Sequence, residues 1–459
     1  MHETTSALLD IVRAQAGSWL QTLPARPVHA SASSDQLVQS LGGPLPEHGT
    51  SPADTIRLLA SAGAVGTIAS AGPRYFGFVV GGSVPAALAA DWLVSMWDQN
   101  AGIFALSPLA STIERITGSW LTHLAGLPST MSFGFVTGGH MANFTSLACA
   151  RHSVLRKAGW DVEADGLNGA PPIAIYVNEE SHYTIFMALR LLGLGSARVH
   201  KIPADDQGRM RADCLEAALR DTSGPAIVCA QAGNVNTGAF DPLPAIANAA
   251  KQRGAWLHVD GAFGLWAAAS PIYAHLVQGI EHADSVASDA HKWLNVPYDC
   301  GLVFCADEAA HRTAMSLAAA YIVATTTERD PHEFVPEESR RARAIPVYAA
   351  LRSLGRRGMA EIIERNCRQA RRFGERLRAA GFDVLNQVVL NQVLVSFGTP
   401  QQTEATIAAI QQEGTCWCSG TVWQGRTAMR ISVSNWSTTD EDVERSIDAM
   451  IRCARSVLC

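Results

Sequence analysis

The sequence lacks the features of several protein classes. No apolar run reaches the ~20 residues that a membrane-spanning helix needs, and the first residues, MHETTSALLDIVRAQ, lack the basic-then-apolar order of an export signal. No basic excess is present, because the formal net charge is −6, and this argues against nucleic acid or an anionic membrane as a partner. We therefore predict a cytoplasmic protein with no nucleic-acid partner and no membrane partner.

Regularly spaced cysteines are also lacking. The ten cysteines are scattered, and the close pair Cys416 and Cys418 has no metal-binding spacing, so we expect no metal site and reduced thiols that fill the core. Charged residues make up 17% of the 459 residues and hydrophobic residues 47%, which is a globular composition. The chain is long enough for two or three domains with a large core.

Two residues that follow apolar runs indicate a chemistry. Lys292 lies in the stretch SVASDAHKWLNVPYDCG, and Asp260 ends the run AWLHVD. Desolvation can lower the pKa of a lysine and make its amine a nucleophile, whereas a carboxylate at the end of a buried strand needs a cation or donors. Either residue alone has an ordinary interpretation, Asp260 as a turn residue and Lys292 as a solvated side chain. Pyridoxal phosphate requires both, because its aldehyde forms a Schiff base with lysine and its ring nitrogen stays protonated beside a carboxylate.

The residues around this pair give a more specific hypothesis. HVDGAFG followed by ADSVASDAHKW resembles the group II pyridoxal-phosphate-dependent amino-acid decarboxylases, which include aromatic amino-acid, glutamate, tyrosine and diaminobutyrate decarboxylases. The resemblance implies an α/β protein of fold type I, the aspartate-aminotransferase-like fold, with a mostly parallel central sheet flanked by helices. It further implies a homodimer with active sites at the subunit interface. The implied parts are an N-terminal helical arm (1–72), a large cofactor-binding domain (73–344) and a small α+β C-terminal domain (345–459).

A glycine pair, Gly138 and Gly139, precedes a predicted helix, where free N–H groups and the helix dipole suit a phosphate. A dinucleotide-binding interpretation fails because no properly spaced third glycine and no ribose-binding acid follow. The resemblance implies that His182 stacks on the pyridine ring and that an acid at position 289 needs a neutralising partner. The implied cofactor-binding residues are Gly138, Gly139, His140, His182, Asp260, Ala262, Asp289, His291 and Lys292.

The segment GPRYFGFVVGG resembles the part of the family that forms the substrate mouth. The implied substrate pocket is largely apolar, which favours an aromatic or aliphatic amino acid, and consists of Phe78, Val79, Gly81, Ile103 and Phe104. Well-known relatives carry a loop tyrosine that protonates the substrate carbon, and this chain has none at the matching place. His332 is the nearest proton donor there, and Tyr321 lies earlier in the chain.

The resemblance implies decarboxylation of an L-amino acid to an amine and carbon dioxide through an internal aldimine on Lys292. The implied catalytic residues are Lys292, His182, Asp260 and His332. Three alternatives stay open: decarboxylation coupled to oxidative deamination, which gives an aldehyde; another fold-type-I reaction such as transamination or β-elimination; and a non-enzymatic member of the fold. Intact Lys292 and Asp260 argue against the last. The sequence does not name the amino acid.

Overall fold

The computed structural model describes residues 4–316 and 328–458, so Tyr321 lies outside the described residues. The helices are α1 (Thr5–Thr22), α2 (Ser34–Leu41), α3 (Pro52–Gly66), α4 (Pro85–Trp97), α5 (Pro108–Leu124), α6 (Gly139–Lys157), α7 (Val162–Asp165), α8 (Tyr183–Leu191), α9 (Ala212–Arg220), α10 (Leu243–Arg253), α11 (Glu308–Met315), α12 (Ala344–Ala379), α13 (Pro400–Glu413) and α14 (Asp440–Leu458). The strands are β1 (Ser132–Val136), β2 (Ala174–Asn178), β3 (His200–Ile202), β4 (Ala226–Gln231), β5 (Trp256–Asp260), β6 (Ser285–Asp289), β7 (Gly301–Cys305), β8 (Asp383–Val384), β9 (Gln392–Ser396), β10 (Ser419–Trp423) and β11 (Arg426–Ser432). Within these described ranges, no helix has the length and apolar character to cross a bilayer.

In the described part of the chain, the larger sheet has seven strands in the order β1-β7-β6-β5-β4-β2-β3. Strands β6, β5, β4, β2 and β3 run parallel to one another, and β7 is antiparallel to both β1 and β6. The central strands are apolar and buried along their whole length, as in Ala226–Gln231, because helices cover both faces of a parallel sheet. The predicted mostly parallel α/β sheet is confirmed.

The smaller sheet is antiparallel, with the order β10-β11-β9-β8; helices α12 and α13 pack on it, and α14 packs on both of these helices. Its core includes Phe373, Val395, Met429 and Ile447, and the predicted small α+β unit is thus present. Helix α12 also packs on α4 and α5 beside the larger sheet. It bends at Gly355, whose φ of 60° lies in the left-handed region that glycine adopts without strain. Because α12 is shared between the two units, the boundary at 344/345 stays a prediction.

Two helices of the N-terminal arm begin at a capping hydroxyl group. The Thr4 hydroxyl caps α1, and the Ser51 hydroxyl caps α3 with Pro52 in its first turn. Among the described residues of α1 and α2, no side chain is fully buried. Several apolar side chains of the arm are exposed, including Leu9, Leu20, Val38, Leu58 and Leu59. The arm therefore lacks a core of its own.

A buried ion-pair network joins the segment before α12 to helix α5. The Glu114 carboxylate is 1% exposed and lies 3.0 Å from the Arg329 guanidinium and 2.7 Å from that of Arg340. Arg340 also donates to the Phe135 carbonyl at 2.6 Å. Arg341 and Arg343 pair with Asp91 and Asp299. The arginine-rich segment before α12 therefore forms a structural ion-pair network.

Replacing Glu114 by Ala should lower the free energy of unfolding by about 3–5 kcal/mol, because it leaves two buried guanidinium groups without their shared carboxylate. Chemical denaturation measures the change. Asp91→Ala is the control, since the Arg341–Asp91 pair is partly exposed and its loss should cost less than about 1 kcal/mol. Equal losses in the two variants would contradict the network's role.

Candidate active site

The predicted cofactor residues meet at one edge of the larger sheet. Asp260 is the last residue of β5, Lys292 follows β6, and α6 begins at Gly139 just after β1. The carboxyl ends of parallel strands form the usual ligand-binding edge of such a sheet. One pocket at this edge is lined by Gly139, His140, Asn143, His182, Thr184, Gln231, Gly233, Val235, Asp260, Ala262, Phe263, Asp289 and Lys292. Seven predicted cofactor residues are among them, namely Gly139, His140, His182, Asp260, Ala262, Asp289 and Lys292.

The Lys292 amine has a carboxylate partner. Its Nζ lies 2.9 Å from Asp289 Oδ2, and the Asp289 side chain is only 2% exposed. The apolar setting that the sequence suggested for Lys292 is therefore replaced by an ion pair, and Lys292 supplies the neutralising partner that Asp289 requires. The pair anchors Nζ inside the pocket.

His291 lies next to this ion pair. The Cys300 amide donates to His291 Nδ1 at 3.1 Å, and His291 Nε2 lies 3.5 Å from Asp289 Oδ1. Burial lowers the pKa of His291, while the Asp289 charge opposes that shift. The neutral imidazole therefore carries its proton on Nε2, on the side of Asp289. The His291 ring also packs beside Gly138, which lies at the edge of the pocket.

Asp260 is held from two sides. Its Oδ1 accepts from the Ala262 amide at 3.1 Å, and its Oδ2 accepts from Asn143 Nδ2 at 3.1 Å. The side chain is nearly buried, at 9% exposed. Each carboxylate oxygen keeps a further lone pair, so the group can accept a proton donor from the pocket.

His182 immediately precedes α8 at the N-cap position, and its Nδ1 lies 2.8 Å from the Thr184 hydroxyl. Burial lowers the pKa of His182, the charges of Lys292 and Arg430 lower it further, and Asp260 and Asp289 oppose the shift. The imidazole is thus neutral at neutral pH. It can stack on an aromatic ring without bringing in a charge.

The donor set fits pyridoxal phosphate. The N-terminus of α6 at Gly139 presents free N–H groups, and the His140 Nε2 beside it is buried with no hydrogen-bond partner among the described residues. An anion at this helix end would form hydrogen bonds with both the free N–H groups and His140 Nε2. The Lys292 amine and the Asp260 carboxylate match the aldehyde and the ring nitrogen of the cofactor.

The structure places the predicted substrate residues differently. Val79 packs in the core of the larger sheet, and Phe78 stacks on Trp417 with ring centroids 5.7 Å apart. The Phe104 amide donates to Asp330 at 2.7 Å, and Ile103 is partly buried in the same loop. In the described part of the single chain, none of the predicted substrate residues lines the Lys292 pocket. Their contact with substrate stays a prediction.

His332 also lies outside the lining of this pocket. It is 6% exposed, its amide donates to the Gly102 carbonyl at 2.9 Å, and its Nδ1 lies 3.1 Å from Glu338 Oε2. These contacts fix it in the segment that follows the residues outside the described range. Its catalytic role stays a prediction.

Gly81 contacts Lys292 through the main chain, since a Cβ at position 81 would lie 1.8 Å from the Lys292 carbonyl oxygen. Gly81→Ala should displace the Lys292 main chain and reduce turnover by about a hundredfold, the effect of a misplacement of about 1 Å at a reacting group. Steady-state kinetics and visible absorbance measure it. Gly63→Ala is the control, because a Cβ there meets nothing closer than 3.8 Å. Unchanged kinetics in Gly81→Ala would show that this contact does not position Lys292.

Three residues that the sequence analysis did not choose bear on the site. Asn143 and Thr184 line the pocket, and Asn143 lies four positions after Gly139, on the same face of α6. That spacing was the available signal for Asn143. Arg430 in β11 is 9% exposed, no acid pairs with it in the described residues, and burial lowers its pKa to about 10. Arg430 lies outside the lining of the Lys292 pocket, and its charge lowers the pKa of His182 from the smaller sheet, so no local pattern marks it.

The mostly parallel sheet, the Asp260 carboxylate and Lys292 amine in one pocket, and the anion-accepting end of α6 define a pyridoxal-phosphate enzyme of fold type I. The profile described as the pyridoxal-dependent decarboxylase conserved domain matches residues 61–398. The L-2,4-diaminobutyrate decarboxylase of Rhizobium meliloti is 31% identical over 392 residues, which is 82% of this chain and 76% of the relative. The aromatic-L-amino-acid decarboxylase of Bacillus atrophaeus is 27% identical over 441 residues, which is 92% of this chain and 89% of the relative.

A solved structure of Oryza sativa TDC with PLP and tryptamine has the same fold, with a TM-score of 0.92 at 22% identity over 99% of this chain and 98% of that chain. The chain belongs to the pyridoxal-dependent decarboxylase family. It is a carboxy-lyase that uses pyridoxal phosphate and acts on an amino acid. The alternatives that the sequence left open, oxidative deamination and transamination, are not favoured.

Proposed function

We propose that this decarboxylase uses Lys292 to hold pyridoxal phosphate, Asp260 to keep a proton on its ring nitrogen, and His182 to pack on the ring opposite Ala262. The observation that carries the proposal is that the Lys292 amine and the Asp260 carboxylate line one pocket beside the N-terminus of α6. When bound, the cofactor supplies an electron sink for the pair left on carbon as carbon dioxide departs. The residues around it anchor the ring and exclude water.

The proton that returns to the substrate carbon comes from Lys292 in this proposal. The Asp289 carboxylate keeps Nζ inside the pocket at 2.9 Å, so a free Lys292 amine can carry a proton there. His332 is the competing donor, and its contacts lie outside the pocket lining. His332→Gln should therefore leave the ratio of amine to aldehyde product unchanged. A rise in aldehyde would assign the protonation to His332.

Two observations favour two different classes of substrate side chain. The segments around Phe78 and Phe104 are apolar and favour an aromatic or aliphatic amino acid. Arg430 favours a second acidic group on the substrate, since its buried cation has no acidic partner in the described residues and acts on His182 in the pocket. The product identity decides between these two classes.

Mass spectrometry of products tests the function. The holo-protein is incubated in air with a pool of L-amino acids, and Lys292→Ala serves as the inactive control. We expect one amine that has lost one carboxyl group relative to its parent amino acid. An aldehyde with peroxide, or no loss of a carboxyl group from any amino acid, would contradict the proposal.

We also propose a homodimer whose active sites lie at the subunit interface. Apolar side chains are exposed along α4 and in the loop after it, namely Trp92, Leu93, Met96, Trp97 and Leu106, and the arm exposes more. A second copy would cover such a surface. Light scattering should give twice the mass of one chain, and a mixture of Lys292→Ala with Phe104→Ala should regain activity in hybrid dimers. A monomer, or mixtures without regained activity, would contradict it. Cytoplasmic location stays a prediction.

A further inference from the structure

A chain of buried polar side chains runs behind the Asp260 carboxylate. Trp256 Nε1 donates to the Ser285 hydroxyl at 2.9 Å, and that hydroxyl lies 3.0 Å from His258 Nδ1. His258 Nε2 lies 3.0 Å from Asn143 Oδ1, and Asn143 Nδ2 donates to Asp260 Oδ2 at 3.1 Å. His258, Ser285 and Asn143 are each no more than 1% exposed.

The proton positions along this chain follow from the Asp260 carboxylate, which has no proton to donate. Asn143 must turn its amide nitrogen toward Asp260, so its oxygen faces His258 and accepts a proton from Nε2. A neutral His258 then has a bare Nδ1, which accepts from the Ser285 hydroxyl. The Ser285 oxygen in turn accepts from the indole of Trp256, which can only donate. Every hydrogen bond therefore points in one direction, from Trp256 to Asp260.

A second branch leaves Asn143 toward the opposite side of the pocket. Asn143 Nδ2 also donates to the Thr184 hydroxyl at 3.3 Å, and that hydroxyl lies 2.8 Å from His182 Nδ1. Because the Thr184 oxygen accepts from Asn143, its own proton is free to reach His182 Nδ1. His182 then carries its ring proton on Nε2. One amide group thus orients both the carboxylate and the imidazole.

We propose that Asn143 is a positioning residue that fixes the Asp260 carboxylate and the His182 tautomer together, and that His258, as its neutral Nε2–H form, fixes Asn143. The inference rests on the proposed role of Asp260 toward the cofactor ring. The neutral state of His258 agrees with the geometry, because complete burial lowers the pKa of this imidazole to about 4. A protonated His258 could not accept from Ser285, and the direction of the chain would be lost.

Pyridoxal phosphate titrated into the apo-protein tests the inference without relying on turnover. Asn143→Asp puts a second carboxyl group against Asp260, and the dissociation constant at alkaline pH should rise by about ten- to a hundredfold, as expected for a lost hydrogen bond to a charged group. The groups that face position 143 are Asp260 and His258 on β5 and His182 before α8; Asp289, Lys292 and Arg430 act on the same pocket. Lowering the pH should restore binding relative to wild type, because the introduced carboxyl group gains a proton and donates again.

The matched control is Asn366→Asp. Asn366 is also fully buried, accepts from Trp293 at 2.9 Å and donates to Gln369 at 3.1 Å, and it lies outside the pocket lining. The ratio of the cofactor dissociation constant of Asn366→Asp to that of wild type should not change with pH. A constant ratio across pH for Asn143→Asp, or the same pH dependence in the control, would overturn the inference.

Nitrogen-15 NMR of histidine side chains in the apo-protein gives a second, independent measurement. We expect His258 to show the Nε2–H tautomer, and a proton on Nδ1 would overturn the inference. Thr184→Val keeps the side-chain volume, and it should convert His182 from a single Nε2–H form to a mixture of tautomers. An unchanged His182 signal would contradict the proposed path of hydrogen bonds from Asn143 through Thr184 to His182. This variant also serves if Asn143→Asp does not fold.

Variants of His258 and Asp260 test the two remaining parts of the inference. His258→Gln keeps an amide donor for Asn143 and should bind the cofactor several-fold more tightly than His258→Leu; equal binding would overturn the role of His258. Asp260→Asn separates the two proposals. If that variant binds as wild type, the proposed role of Asp260 fails. If it binds weakly while Asn143→Asp binds normally at every pH, only the positioning inference fails.

Discussion

Lys292→Ala is expected to abolish both decarboxylation and the visible absorbance of covalently bound pyridoxal phosphate. No other amine is held inside the pocket among the described residues, where Nζ of Lys292 lies 2.9 Å from Asp289. The loss should be complete, because a variant without this amine has no group that forms the covalent link. Absorbance spectra and carbon dioxide release measure the two effects.

Because the chain has few lysines, the site of covalent attachment can be assigned directly. The chain contains four, namely Lys157, Lys201, Lys251 and Lys292. Borohydride reduction of the wild-type holo-protein followed by peptide mapping should mark Lys292 alone, and Lys251→Ala should keep the band. A band that persists in Lys292→Ala, or a cofactor mapped to another lysine, would show that Lys292 is not the anchor.

Asp260→Asn is expected to form the covalent link to the cofactor, to bind it more weakly than wild type does, and to reduce turnover by about a hundred- to thousandfold. This is the range seen when one preorganised electrostatic contact to a reacting group is removed. The reason is that a neutral amide no longer holds the proton on the ring nitrogen, so the ring accepts electrons less well. Single-turnover kinetics with the identified substrate, together with the spectrum, measure the change.

Asp241→Asn is the matched control for this variant. Asp241 is also buried, its Oδ2 accepts from the Gln231 amide at 2.8 Å, and burial raises its pKa to about 7. It lies outside the lining of the Lys292 pocket. This variant should alter stability and leave the cofactor spectrum unchanged. Full activity in Asp260→Asn would refute its proposed role.

The positions of Asp260 and Lys292 show why local sequence patterns predicted part of the site. Asp260 and Lys292 follow apolar strands, and both strands end at the same edge of a parallel sheet, so alternating strands and helices bring the two residues together. The same logic places Gly139 and His182 at helix starts. These predictions depend on patterns within a few residues, and the fold preserves them.

Other contacts join residues that are far apart in the sequence, and no local pattern predicts them. Asn143 and Asp260 are separated by 117 positions and meet only because α6 packs across β5 and β6. Arg430 acts on His182 from the smaller sheet, which a sequence motif around either residue does not reveal. The side chains of Phe78 and Phe104 lie outside the lining of the Lys292 pocket in one chain, because the orientation of a loop is set by its tertiary contacts.

Local residue patterns predicted an α/β fold and the polar residues that follow its central strands, and the resemblance of the motifs added fold type I, the family and the cofactor. Hydrophobic periodicity and turn chemistry act over short stretches of chain, and they suffice for the strands and helices. The family and its cofactor followed instead from the resemblance of HVDGAFG and ADSVASDAHKW to the group II decarboxylases. Only the tertiary structure decided that Lys292 pairs with Asp289, that one amide connects Asp260 with His182, and that His332 lies outside the pocket lining. The physical reason is that strand register and helix docking, which arise from packing of the whole core, set the direction of each side chain.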